Sequence, residues 1–170
     1  MRPRIAILVG TCTLALTITA CGTQAGPSKI LGSKPTPTVK EAAANAYLTA
    51  ANAYNAAVDT GGRLCPGTSS TNAQLKACYT AFCNADQVFQ KALFAITFPP
   101  GMKADVNAII SADAAETIAD CGIATSPDPN ADYSDFAAST AAGNAAAAAA
   151  SIVRHDLGLP PITVTAPSPS

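Results

Sequence analysis

Three acidic residues, Asp113, Glu116 and Asp120, recur at intervals of three and four, which puts their carboxylates on one face of a helix. Such a row binds a cation when a neighbouring helix adds ligands, and Asp86, the charge that interrupts an apolar period upstream, is the residue that would do so. Di-metal helical bundles use Glu-x-x-His pairs on two helices, and this chain has none. The pattern therefore favours a solvated acidic face, opposite an apolar stripe formed by Val106, Ile110, Ala114, Thr117 and Cys121, with Asp86 at the edge of its own stripe. The only histidine, His155, stands between Arg154 and Asp156 near a helix end, where a partly charged ring suits the helix dipole. No Gly-x-Ser-x-Gly element, phosphate loop, dinucleotide fingerprint or haem-attachment motif accompanies it. No catalytic residue, cofactor or metal is therefore assigned, and the chain is read as a non-enzyme.

The cysteines carry a second kind of chemistry. Of six, Cys12 lies in the N-terminal apolar segment and Cys21 follows it, leaving Cys65, Cys78, Cys83 and Cys121. An even number in an exported domain points to two disulfides. The 12, 4 and 37 intervening residues do not make the paired knuckles of a zinc site. If two helices run antiparallel about a turn at Pro99 and Pro100, residues equidistant from it lie level, which pairs Cys78 with Cys121 and leaves Cys65 with Cys83. The alternative joins Cys65 to Cys78, because Cys65 sits on a loop close to it in sequence.

Four helices must position these groups. Thr38-x-x-Glu41 has the spacing of a capping box and opens a helix over about 39–59, with Gly61 and Gly62 to end it. Thr71 to Gln74 is a second cap-like start, and Leu75, Cys78, Phe82, Phe89, Leu93 and Ile96 follow at helical spacing until Phe98-Pro99-Pro100-Gly101. The third helix carries the Val106 stripe and stops at Gly122. The fourth contains Tyr133, Phe136, Thr140, the run Ala145 to Ala150 and Ile152, and ends at Leu157-Gly158. Alanine is the best helix former, so the run favours helix. The tyrosines and phenylalanines take the core by default. The expected fold is all-α, an antiparallel four-helix up-down bundle over 38–158 with two disulfides.

The ends have a different character. Arg2 and Arg4 precede 14 uncharged, mostly apolar residues, Ile5 to Ile18, which is the layout of a secretory signal and too short for the roughly 20 residues of a membrane span. No other stretch comes close to a span. Ile18-Thr19-Ala20-Cys21 resembles the lipobox of bacterial lipoproteins, and that resemblance implies cleavage after residue 20 and acylation of Cys21 by a diacylglyceryl thioether. Residues 21–37 then read as a flexible tether and 159–170 as a disordered Pro/Ser/Thr tail. The turn Phe98-Pro99-Pro100 with Lys103-Ala104-Asp105-Val106, and the ending Asp156-Leu157-Gly158-Leu159-Pro160, resemble small uncharacterised secreted helical lipoproteins of high-GC Gram-positive bacteria. These short fragments imply no activity.

Without Arg2 and Arg4, eight basic residues face eleven acidic ones, a formal charge of −3. No basic stripe is present, which argues against nucleic acid as a partner. The expected location is the extracytoplasmic face of the cell membrane, held there by lipid. The leading functional expectation is a non-catalytic envelope module that binds a protein or wall partner or serves a structural role. The alternative is a lipoprotein that holds a small ligand or metal through the helix carboxylates or an inter-helix pocket.

Overall fold

The computed structural model describes residues 36–65 and 71–161. The signal segment, Cys21, most of the tether and the tail from residue 162 lie outside the described residues. Helix α1 spans Val39–Gly62, α2 Asn72–Ala95, α3 Lys103–Thr125 and α4 Tyr133–Leu157. They form an antiparallel up-down bundle, with no strand among the described residues.

Both capping boxes form. The Thr38 hydroxyl accepts the Glu41 N–H at 3.2 Å while the Glu41 carboxylate accepts the Thr38 N–H at 2.8 Å. Thr71 and Gln74 repeat the exchange at 3.3 and 2.9 Å. Each pair satisfies amides that the first helical turn leaves without partners. At the far end of α4, Gly158 takes a left-handed φ of 74°, and the Leu159 N–H reaches back to the Arg154 carbonyl at 2.8 Å in a Schellman closure. Leu159, assigned from sequence to the tail, packs against the core through this turn.

Two glycines expected to end helices also sit where a neighbouring helix comes close. At Gly61 a Cβ would stand 3.0 Å from Ala81 and Phe82 of α2, and at Gly122 one would stand 2.6 Å from the Asp135 carboxylate. Both positions allow close approach of a neighbouring helix; α1 ends at the Gly61–Gly62 pair as expected, whereas α3 runs past Gly122 to Thr125.

The inward faces follow heptad spacing, with alternate steps of three and four. Along α1 they carry Tyr47, Ala51, Tyr54 and Val58; along α2, Tyr79, Phe82, Asp86, Phe89 and Leu93. Along α3 they carry Val106, Ile109, Asp113, Glu116, Asp120 and Ile123; along α4, Ser139, Gly143, Ala146, Ala150, Val153 and Leu157. The α3 stripe expected through Ile110, Ala114, Thr117 and Cys121 is therefore displaced. Those residues are only partly buried, because Ile109 and Ile123 anchor the neighbouring face and bring the three acids between them inward.

The pairing of the cysteines also differs from the sequence argument. Cys65 bonds Cys78 and Cys83 bonds Cys121, with Cα separations of 5.2 and 5.0 Å. Equal counting from Pro99 and Pro100 fails because the chain from Ile96 to Pro99 is extended rather than helical. It carries α3 past the end of α2 by about 9 Å at roughly 1.5 Å per helical residue, and this brings Cys83 level with Cys121. Gln87 lies across the second bridge, its Nε2 3.4 and 3.6 Å from the two sulfurs.

Packing is uneven around the bundle. α3 and α4 meet most extensively, since alanines let their backbones approach, whereas α1 and α4 meet least of the neighbouring helix pairs. Contrary to expectation, α4 is long and apolar enough over Ser134–Leu157 to pass a test for a membrane span. That apolarity is mostly alanine, and the helix buries Ser139 and Arg154 within the bundle.

Candidate functional site

The apolar core is divided in two. One cluster gathers Tyr47, Leu93, Val106, Ile109, Val153 and Leu157 towards the start of α1, and the other gathers Cys78, Tyr79, Phe82 and Ile123 towards its end. Between them the heptad positions are filled by Asp86 of α2 and Asp113, Glu116 and Asp120 of α3. Asp86, Asp113 and Asp120 are 1%, 2% and 1% exposed, and Glu116 is half-buried. The solvated face expected from sequence is thus a buried acidic layer.

A cavity of about 200 Å³ opens beside this layer, bounded by all four helices. Tyr47, Tyr54, Phe82 and Phe89 wall the side towards α1 and α2, with the Tyr54 and Phe89 rings 4.9 Å apart. The four acids supply the polar part. On α4 the lining consists of Ser139, Thr140, Gly143, Asn144, Ala146, Ala147 and Ala150. Small side chains at these positions leave the space that leucines would fill, so the poly-Ala run supplies the room as well as helix propensity. Thr140 and Asn144 are exposed and mark the mouth, on the α4 side. Gly143 has a specific role, because a Cβ there would lie 2.7 Å from Oε1 of Glu116.

Neither carboxylate oxygen of Asp86 has a hydrogen-bond partner, nor does Oδ2 of Asp113. The Tyr54 hydroxyl is close enough to Asp86 to favour its charged form, but it does not meet the geometry of a formed hydrogen bond. Burial, reinforced by the charges of Glu116, Asp120 and Asp113, pushes the Asp86 carboxyl up to about 9. Burial alone pushes Asp113 up to about 7. Tyr54 is raised well above the usual phenol value by burial first and then by the acids around it, so its hydroxyl keeps its proton. Buried carboxyls without partners cost stability, and natural sequences keep such groups mainly where they serve a function.

The sign of the resulting pH dependence follows from proton counting. The unfolded chain releases the protons of both aspartates near 3.8, whereas the folded chain keeps them to about 7 and about 9. Their contribution to stability is complete below about pH 4 and is lost as pH rises through 7 towards 9. Glu41, lowered by its bonds to Thr38, works in the opposite direction, below its ordinary 4.5 and outside this window. The melting temperature of the ligand-free protein is expected to be higher at pH 5 than at pH 8.5. A calorimetric series in which it rises across that interval would contradict the protonation described here.

His155 takes no part in the cavity. Its side chain is 89% exposed, in the last turn of α4 where the sequence places it, with Nδ1 3.2 Å from Asp156. Its neighbour Arg154, not singled out from sequence, is buried, and its Nε donates to the Pro160 carbonyl at 2.9 Å. Of the aromatic residues expected in the core, Phe94 is 68% exposed. Sequence reasoning also missed Tyr54, Ser139, Gly143 and Asn144 as cavity residues. The signal available for the acids was Ile109-x3-Asp113-x2-Glu116-x3-Asp120-x2-Ile123, a continuous heptad row with isoleucine at both ends. Comparison of the chain with protein-family models, with curated proteins and with solved structures finds no match.

Proposed function

We propose that this is a membrane-tethered, extracytoplasmic, non-catalytic protein that holds a small positively charged ligand in the cavity between its four helices. The observation that carries this reading is that Asp86, with both carboxyl oxygens buried and unpartnered, and Asp113, with Oδ2 buried and unpartnered, stand among the residues around a cavity that, among the described residues, no Lys, Arg or His reaches. A cation there supplies the counter-charge that the protein does not. A docking surface for an envelope partner is supported less well, since the exposed large apolar residues are scattered over the helices and Phe94 is their one aromatic member among the described residues.

The test is calorimetric titration of the mature protein with small cations, inorganic and organic. At least one is expected to bind one to one, with affinity at least tenfold weaker in Asp86→Asn; absence of binding by every cation would refute the reading. Carboxyls of unequal pKa are also what acid–base catalysis uses, so the probes are recovered afterwards. They are expected unaltered, and conversion would make the protein an enzyme.

The tethered location rests on the lipobox and on two disulfides, which suit an oxidising compartment. The wild-type protein is expected to partition into detergent with the membrane fraction, and Cys21→Ser to appear in the aqueous phase. Equal partitioning of the two would remove the anchor from the account.

A further inference from the structure

We infer that the cation the cavity takes is a small organic amine, a protonated nitrogen on an apolar body, rather than a metal ion. The inference rests on the cation-binding reading above and narrows it to a chemical class.

Two features of the cavity separate the classes. First, a hard metal ion needs several oxygens converging on one point at about 2.0–2.6 Å. Among the described residues no three His, Cys, Asp or Glu side chains are arranged in that way. The acids instead line a wall, two of them with oxygens that lack donors. An ammonium group suits this arrangement, because it donates up to three hydrogen bonds at ordinary hydrogen-bond distance to acceptors that need not share a centre.

Second, the rest of the lining is apolar and aromatic. Tyr54 and Phe89 stand at 4.9 Å, and Tyr47, Phe82 and the α4 alanines complete the surface. A hydrated metal ion gains nothing from such walls. An alkyl or aryl group loses its water against them, and ring faces also attract an adjacent cation. The cavity, about 200 Å³, is small beside the roughly 300–1,000 Å³ of pockets that take drug-sized ligands. That size suits a monoamine of modest size.

The experiment varies the ligand and leaves the protein intact. Mature protein is titrated calorimetrically at pH 7.5 with benzylammonium, n-butylammonium, benzyl alcohol, Ca²⁺ and Mn²⁺. At least one of the two amines is expected to bind one to one, at least tenfold more tightly than benzyl alcohol and than either metal. The Asp86→Asn variant, which removes a buried carboxyl without changing its volume, should fold and lose at least tenfold in amine affinity. Binding of benzyl alcohol as tightly as benzylammonium would overturn the inference, because charge would then not be read. Tighter binding of Ca²⁺ or Mn²⁺ would overturn it while leaving the cation reading in place. If none of the probes binds, both readings fall.

Discussion

Asp86→Leu is expected to stabilise the protein by about 1–4 kcal/mol and to abolish cation uptake. Asp86 is 1% exposed, and neither of its oxygens has a hydrogen-bond partner. It keeps its proton at neutral pH only because burial and the surrounding acids make ionisation unfavourable. Replacing a buried ion pair by apolar residues of similar volume is often neutral or stabilising by that amount, an unpartnered buried carboxyl likewise costs stability, and the adjacent cavity has room for the branch of a leucine. The substitution would join the two apolar clusters into one continuous core. Urea unfolding at pH 7.5 measures the gain. A loss of more than about 1 kcal/mol would mean that the Asp86 carboxyl makes a structural contribution that its geometry does not reveal. Gain of stability with loss of binding is the exchange expected when a site is maintained at the expense of the fold.

The second large effect concerns the disulfide that holds the acidic layer together. Cys83 and Cys121 are 38 residues apart, against 13 for Cys65 and Cys78. Closure entropy makes the longer crosslink worth about 4 kcal/mol and the shorter about 3 kcal/mol. The longer bridge joins α2 to α3 one turn from Asp86 and next to Asp120, two acids that repel when both are charged. Cys83→Ser with Cys121→Ser should therefore cost more stability than Cys65→Ser with Cys78→Ser, and should weaken cation binding at least tenfold by letting α2 and α3 separate. Paired denaturation curves decide the order. A smaller loss for the α2–α3 bridge would show that the acids are held by packing alone. With total stabilities of about 5–15 kcal/mol for native domains, either loss is large for a core interrupted by a cavity.

How much of this was legible in the chain can be seen residue by residue. Helix starts were plain, because Thr38 with Glu41 and Thr71 with Gln74 are local exchanges that need no tertiary context. The end at Gly158 was equally plain, since only a left-handed residue closes the Schellman turn. The facing of α3 was not. In an alanine-rich helix the apolar contrast between faces is slight, and a stripe through Ile110 and Ala114 competes with one through Ile109 and Ile123. The general rule that charged residues are solvated favours the first stripe and turns the acids outward. A binding site is where that rule fails. The disulfide pairing was missed for a different reason, the extended run from Ile96 to Pro99, whose rise per residue is more than twice that of a helix. The alanines of α4 signal helix and a thin, closely approached core, but where that thinness opens a cavity depends on how α4 is set against the other helices.

The central claim is that Asp86 and Asp113 are buried acids waiting for a cation, and carboxyl-carbon NMR of aspartate-labelled mature protein tests it most directly. In the ligand-free protein the two carboxyls are expected to titrate near 9 and near 7. With a saturating amine both should titrate at least one pH unit lower, because an adjacent positive charge favours the ionised form. Titration of both residues near 3.8, unchanged by any cation, would contradict the account.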